Sequence, residues 1–372
     1  MKKLVLITGG AGFIGSHVAK ELLAFGYNVR ALDSLVPQVH GPDRKRPEYL
    51  DPAVELIVGD LRNEEAVFCA LQGVDYVVHL ASLVGVGQSM YQIAEYTSVN
   101  NLGTATLLQT LTRRQVERFV VASSMSIYGE GLYVDSRGVP IIPQDRTVAQ
   151  LKLGQWELIA PDGEALRPAP TPEAKQPNLA SIYALSKFDQ ERMCLVTAKA
   201  YNFHAVALRF FNTYGPFQAL SNPYTGVLSN FASRVLNGKP PLIYEDGLQK
   251  RDFVSVYDVA SACRLALETP AAAGHAINIS SGVAMTVAEA ASRTIEAIGA
   301  AGIRPEITGN YRSGDIRHCF ADISLARRLL GWEPRVTLAQ GLEDLALWLT
   351  GQRPLDRGME ARSELAARGL ML

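Results

Sequence analysis

The serine cluster Ser123-Ser124-Met125-Ser126 and the pair Tyr183 and Lys187, in Tyr183-Ala184-Leu185-Ser186-Lys187, carry the side chains best suited to chemistry. Tyrosine and lysine four positions apart on a helix share one face. An ammonium beside a phenol favours the phenolate and lowers a pKa that is ordinarily about 10. Such a tyrosine can act as a general base on a substrate hydroxyl near neutral pH. Ser124 can hydrogen-bond the same oxygen and share the proton movement. Alone, Tyr-x-x-x-Lys is common on solvated helices, so its weight depends on its surroundings.

Those surroundings begin at the N-terminus. Lys2 to Ile7 reads as a buried parallel strand and runs into Gly9-Gly10-Ala11-Gly12-Phe13-Ile14-Gly15. A helix follows from Ser16 to Phe25, and a second strand, Val29 to Leu32, closes on Asp33. Gly9 permits the tight turn, Gly12 lets the backbone approach a pyrophosphate, and Gly15 allows close helix-to-strand packing. The helix N-terminus offers free N–H groups and a positive dipole end to phosphates. Asp33 can accept hydrogen bonds from ribose hydroxyls and would repel a 2′-phosphate, which favours NAD over NADP. The competing reading is a ligand-free turn with Asp33 as a cap.

Further strands are read at Val54–Val58, Val74–Leu80, Phe119–Ala122 and Val206–Phe210, with helices near 64–72, 92–115 and 184–201. This alternation predicts an α/β fold, a doubly wound parallel sheet of Rossmann type, with ligands at the carboxyl ends of its strands. Residues 1–210 form the expected NAD-binding domain, with an insertion over 130–180 and segments near 255–280 returning to it. Residues 211–372 form mainly a smaller α/β substrate domain.

Composition narrows the classes. The 372 residues carry 36 Lys plus Arg against 37 Asp plus Glu, a net charge of −1. That balance gives no reason to expect nucleic acid or an acidic membrane as partner. The four cysteines, Cys69, Cys194, Cys263 and Cys319, show no Cys-x-x-Cys pair, and the six histidines no His-x-x-x-His pair. Neither a disulfide framework nor a metal site is expected. The apolar run after Met1-Lys2-Lys3 stops at Thr8-Gly9-Gly10, too early for a signal peptide, and no apolar stretch reaches membrane-spanning length. A soluble cytoplasmic protein is the expectation.

With these motifs in order, the chain resembles the extended short-chain dehydrogenase/reductases that modify nucleotide sugars. The resemblance spans nearly the whole chain. It includes Gly59-Asp60-Leu61, His79-Leu80-Ala81, Asn100-x-x-Gly103-Thr104, Arg209 to Pro216, Arg251-Asp252-Phe253-Val254 and Gly314-Asp315-Ile316-Arg317. It implies that Asp60 and Leu61 flank the adenine, and that Leu80, Ala81 and Asn100 line the dinucleotide path. Phe13 and Ile14 join the phosphate-binding turn, and Tyr183 and Lys187 also hold the nicotinamide ribose. It implies further that Asn212, Arg251 and Arg312 contact the sugar-nucleotide diphosphate, with Tyr244 beside the base. Surface ion pairing remains the alternative for the two arginines, and a core role for Tyr244.

Within that family, dehydratases place an Asp-Glu pair after the catalytic serine or threonine, and sugar-acid decarboxylases keep a glutamate at the second position. This chain has Met125 and Ser126 there, so the remaining pattern resembles the 4-epimerases. The implied reaction inverts C4 through a 4-keto sugar and ends with NAD unchanged, Ser126 bonding the sugar or serving as a structural serine. Stretches around Asp33–Gly41, Val84–Tyr91 (with Val86 on the substrate side) and Ser124–Gly131 resemble bacterial dTDP-L-rhamnose 4-epimerases, which form dTDP-6-deoxy-L-talose for surface polysaccharides. The alternatives are a UDP-hexose or UDP-uronate 4-epimerase, a 4-ketosugar reductase, and a non-catalytic NAD-binding protein.

Three segments are read more loosely. The proline-rich stretch from Glu130 to Ala180, with a short strand at Leu153–Ile159, is either part of the sugar pocket or a surface excursion. The tail beyond Trp348 holds one amphipathic helix near Glu360–Ala367, packed on the substrate domain or loose. The helices near 92–115 and 184–201 match those that pair in family homodimers, or else serve the internal core.

Overall fold

In the computed structural model, residues 2–224, 226–311 and 315–371 are described. Short runs of β-branched and aliphatic residues form a seven-stranded parallel sheet. Its spatial order is Ala276–Ile279, His204–Phe210, Arg118–Ser124, Tyr76–His79, Leu4–Thr8, Asn28–Asp33 and Glu55–Val58. Val5, Leu6, Ile7, Val77, Val78, Val120 and Val121 are buried on both faces, as a sheet covered by helices on each side requires. Strand order reverses between Leu4–Thr8 and Tyr76–His79, where Ile7 pairs with Val78. A crevice for a ligand forms at such a switch point.

Helices Phe13–Ala24, Val256–Glu268 and Ser324–Leu330 cover one face, burying Val18, Leu22, Val259, Cys263 and Leu330. Helices Glu64–Ala70, Gly103–Arg113 and Ile182–Tyr201 cover the other, burying Val67, Leu107, Leu111 and Cys194. Ser181 caps the last of these by accepting from the Ala184 N–H, and Asn202 ends it in the left-handed conformation. The expected continuous helix near 92–115 is divided into Ile93–Tyr96, a π-helical turn at Thr97–Leu102, and Gly103–Arg113. The widened turn lets the buried Asn100 accept from Leu83 N–H at 2.7 Å, a local distortion of the kind that serves sites.

A small sheet of Asn212–Tyr214, Lys250–Ser255 and Ala284–Thr286 packs with helices Val227–Leu236, Val287–Ile298 and Leu338–Leu349 around a second core of Tyr214, Phe231, Phe253, Met285 and Leu345. The 130–180 region is ordered. Leu132–Val134 pairs antiparallel with Pro140–Ile141 and Arg167–Ala169 over a core of Tyr133, Leu158, Ala160 and Leu166. The expected strand at Leu153–Ile159 is absent: a Thr147-capped helix, Val148–Lys152, ends just before it, and within it only Ile159 bridges, to Ala165. The Gln150 side-chain amide donates to the Glu157 carbonyl, which occupies a group a strand would need for its ladder.

Candidate active site

The carboxyl ends of the parallel strands open into a cleft of about 910 Å³ between the large sheet and the small one. On its floor, the turn after Leu4–Thr8 leads directly into helix Phe13–Ala24. A β-carbon on Gly15 would stand 2.3 Å from the Gly9 carbonyl oxygen, so only glycine allows the helix to start this close to the strand. A β-carbon on Gly12 would meet only the Gly9 oxygen, at 3.4 Å. The helix N-terminus that begins here offers backbone N–H groups that could hold a phosphate. Gly9, Gly12, Phe13, Ile14, Leu80 and Ala81 all line the cleft.

Asp33 closes the second strand with both oxygens oriented. Oδ2 accepts from Ala11 N–H at 3.0 Å and Oδ1 from Leu35 N–H at 2.9 Å. Each oxygen keeps lone-pair capacity for a ribose hydroxyl. Asp60 accepts a forked pair from Arg62, at 3.0 and 2.7 Å, which holds its carboxyl below the usual range. Leu61 turns into the core beside Gly103, and Asn100 ties the Leu83 loop to Ser186. The glycine cradle, the acid and the open strand ends therefore fit a bound dinucleotide.

The candidate trio of Ser124, Tyr183 and Lys187 converges on the same cleft. Ser124 ends strand Arg118–Ser124, while Tyr183 and Lys187 come from the first turns of helix Ile182–Tyr201. Ser124 Oγ accepts from the backbone N–H and the hydroxyl of Ser126, at 3.1 and 2.9 Å. Its own proton is then left to donate, and its hydrogen bond with Tyr183 favours the phenolate. Burial acts the other way and outweighs it, so the phenol stands above its usual pKa. The expected lowering by Lys187 is not what this geometry shows. Lys187 Nζ instead donates to Gln190 Oε1 at 2.7 Å, and burial lowers the ammonium to about 8.

Gln190 belongs to a buried polar network absent from the sequence reading. Its amide donates to Thr104 Oγ1 at 2.8 Å, and Thr104 bonds His79, which bonds Thr8. Burial pushes His79 down to about 3, so it stays neutral here. Gln190 lies three residues after Lys187, so helical spacing alone was a usable signal. The next residue, Glu191, faces the sheet and accepts from Ser123 at 2.6 Å and from Arg209 at 2.9 and 2.7 Å. Ser89 Oγ accepts from Tyr183 N–H at 3.0 Å, which ties the turn carrying Val86 to the start of helix Ile182–Tyr201.

The opposite wall carries Asn212, Tyr244 and Arg251. Asn212 donates to the Asp252 carbonyl at 3.0 Å and to Met125 Sδ at 3.4 Å. Arg251 donates to the carbonyls of Lys250, Arg317 and Ile316, at 3.0, 3.0 and 2.5 Å, and so braces the wall as well as lining it. Arg312 lies outside the described residues. Among the described residues no cluster of three metal-ligating side chains occurs, and no helix is long and apolar enough to cross a membrane.

Behind this wall the 130–180 region is clamped in place. Arg317, fully buried, donates to Glu157, Glu245 and Asp246. Arg146 donates to Glu245 at 2.7 Å and to the Asp315 carbonyl at 2.7 Å. Glu130 accepts the backbone N–H groups of Arg317 and His318, at 2.7 and 3.1 Å. The region braces the cleft wall at Asp315 and Ile316 and is not a loose surface excursion.

Comparison with known proteins agrees with this geometry. Residues 5–155 and 156–280 match the model of the NAD dependent epimerase/dehydratase family. A dTDP-L-rhamnose 4-epimerase from Burkholderia thailandensis is 33% identical over 95% of this chain and 96% of its own. A UDP-glucose 4-epimerase from Thermotoga maritima, solved with UDP-glucose, superposes with a TM-score of 0.76 at 28% identity, covering 93% of this chain and 98% of that one. A UDP-glucuronic acid 4-epimerase variant from Bacillus cereus, solved with a fluorinated UDP-sugar acid and NAD, gives 0.75 at 26% identity over 93% and 98%. The chain belongs to the NAD-dependent epimerase/dehydratase family and is an isomerase that works with NAD.

Proposed function

We propose that this enzyme inverts C4 of a nucleotide-diphosphate sugar, with dTDP-L-rhamnose and dTDP-6-deoxy-L-talose as the interconverted pair. The observation that carries the reaction type is the turn after Ser124. Met125 and Ser126 line the cleft there, where dehydration would need an acid and a base. The rhamnose assignment is supported by the relative at 33% identity. UDP-hexose and UDP-uronate are the second reading, since the structural relatives carry UDP-sugars.

In this reading residues 1–210, joined by strand Ala276–Ile279, hold NAD, and 211–372 hold most of the nucleotide sugar. Gly9, Gly12, Phe13, Ile14 and Gly15 would take the pyrophosphate, Asp33 the adenosine ribose, and Asp60 and Leu61 the adenine flank. Leu80 and Ala81 would border the dinucleotide path, with Asn100 buried behind it holding the Leu83 loop, and Tyr183 and Lys187 on the nicotinamide ribose. When bound, NAD supplies a hydride acceptor and donor at C4. Tyr183, as the phenolate that the Ser124 hydrogen bond favours, takes the C4 hydroxyl proton, and Ser124 then turns its one proton to the C4 oxygen. Tyr183 keeps the proton while the 4-keto sugar turns, then returns it on the other face. Asn212, Arg251 and Arg312 would anchor the diphosphate during that turn, with Tyr244 at the base and Val86 and Ser126 at the sugar. Two copies would pair through helices Gly103–Arg113 and Ile182–Tyr201, in or beside which Leu102 and Val196 are exposed.

The test is NMR of the purified protein with dTDP-L-rhamnose, UDP-galactose and UDP-glucuronate, separately and without added cofactor. A new C4 epimer from dTDP-L-rhamnose supports reaction and substrate together. Turnover of only a UDP-sugar moves the substrate to the second reading. No epimer from any of them, with NAD then supplied, refutes the epimerase reading.

A further inference from the structure

The C-terminal segment beyond Leu349 crosses the cleft from one half of the molecule to the other. On the substrate side it is anchored: Leu355 N–H donates to Ser221 Oγ at 3.0 Å and Asn237 donates to the Pro354 carbonyl at 3.0 Å. Asp356 accepts from Arg234 and Lys239 at 3.3 and 3.0 Å. Helix Gly358–Ala367 then runs to the NAD-binding half, with Gly358, Ala361, Arg362 and Leu365 forming part of the cleft wall.

At its far end the helix closes a three-way clasp. Glu364 accepts from Tyr91 OH at 2.6 Å and from Tyr224 OH at 2.9 Å, and the two phenolic oxygens lie 2.6 Å apart. The Arg368 guanidinium stacks 4.3 Å over the Tyr91 ring. Tyr91 belongs to the NAD-binding half and Tyr224 to the other, so one carboxylate joins the two lips of the cleft. Next to the clasp, Leu365 packs on Gly87, where an added β-carbon would stand 3.3 Å from its side chain. Gly87 lies in the helical turn Val86–Ser89, whose Ser89 hydroxyl accepts from Tyr183 N–H. The strap thus bears on the backbone that positions the catalytic phenol.

We propose that the segment 351–371 is a strap that retains the 4-keto intermediate while it turns, with Glu364 as the positioning residue that holds it shut. This rests on the epimerase reading. An epimerase must return the hydride to the molecule that lost it. If the ketone escapes first, the released sugar is oxidised at C4 by two electrons, its hydroxyl proton stays with Tyr183, and the hydride stays on the nicotinamide. Each escape therefore leaves one reduced nicotinamide on the enzyme, and the strap's role can be read without measuring epimerisation.

The experiment compares the full-length parent with Glu364→Ala and with Tyr91→Phe/Tyr224→Phe, each given the nucleotide sugar the parent epimerises. Glu364 is mostly exposed, and the phenylalanines keep the aromatic packing, so both variants are built to fold. The readouts are near-ultraviolet absorbance of reduced nicotinamide and 4-ketosugar in the filtrate. The expected result is several-fold more of both in each variant, in equal amounts, and loss of turnover over time that added NAD restores. Parent-level reduced nicotinamide and ketosugar in both variants, with epimerisation intact, overturns the strap and leaves the epimerase reading standing. A parent that epimerises none of the sugars overturns that reading, and the strap's role with it.

Discussion

The hydrogen bond from Lys187 to Gln190 makes a prediction whose size follows from the structure. Lys187 is 3% exposed, its ammonium lowered to about 8 by burial, and Gln190 Oε1 accepts from Nζ at 2.7 Å. A hydrogen bond to a charged group contributes about 1.5–3 kcal/mol, and one pKa unit corresponds to about 1.4 kcal/mol. Gln190→Leu keeps the bulk and removes the acceptor, so the ammonium becomes easier to deprotonate by roughly one to two units. Lys187 acts as a cation, so its contribution is present below its pKa and lost above it. The alkaline limb of kcat/KM should therefore move to lower pH by about that amount. Gln190→Glu restores an acceptor and adds a negative charge, so its limb should move to higher pH. The assay is the pH profile of kcat/KM for the NAD-loaded protein, with denaturant unfolding to confirm that each variant is folded. Superimposable alkaline limbs in all three proteins would falsify the claim that Gln190 sets the charge on Lys187.

Other outcomes follow from the same structure. Tyr183→Phe should keep the fold and bind NAD while losing about 10²–10⁴-fold in kcat, the usual scale of general acid–base catalysis; unchanged turnover removes Tyr183 from the mechanism. Lys187→Met should be inactive yet more stable at neutral pH, because a pKa lowered from 10.5 to about 8 means that folding works against the ammonium. The cost is roughly 3 kcal/mol below pH 8, and it disappears as pH rises toward 10.5, where the unfolded lysine also loses its proton. Urea melts at neutral and alkaline pH measure both, and a parent–variant difference independent of pH refutes the argument. Arg317→Met should cost about 3 kcal/mol, toward the low end for breaking a buried pair, because of its three partners only Glu245 is fully buried and it keeps Arg146. Hydrogen exchange should speed up over residues 146–157, and unchanged exchange there would show that the 130–180 region is held by other contacts.

The parts legible in the sequence share one property: their geometry is local. The glycines from Gly9 to Gly15 and the acid at Asp33 lie within one strand–helix–strand unit, so spacing alone indicates their arrangement. Tyr183 and Lys187 are one helical turn apart, and Ser124 ends a strand whose apolar run is plain to read. Gln190 was equally legible, being three residues on, but an uncharged amide attracts no notice until its acceptor role toward the lysine is visible. The expected effect of Lys187 on Tyr183 failed for a reason that spacing cannot convey. Sharing a face does not decide which neighbour a flexible ammonium selects, and the acceptor it finds here is Gln190.

What stayed hidden is built from long-range pairs. The expected strand at Leu153–Ile159 reads as apolar and extended, yet the Thr147 cap starts a helix just before it and the Gln150 amide takes the Glu157 carbonyl. Nothing in the sequence marks Arg146 and Arg317 as partners of distant carboxylates, yet both side chains are buried because Glu157, Glu245 and Asp246 gather around them. The clasp is the extreme case, since Glu364 meets Tyr91 across 273 positions and Tyr224 across 140. Such contacts leave no periodicity, because nothing in a helix or a strand relates residues at those distances. The reacting groups of this fold sit on regular elements and repeat their spacing. The groups proposed to hold the sugar, Val86, Asn212, Tyr244 and Arg251 among them, are instead scattered over short elements far apart in the chain. It follows physically that the reaction type could be read from this chain before its substrate could.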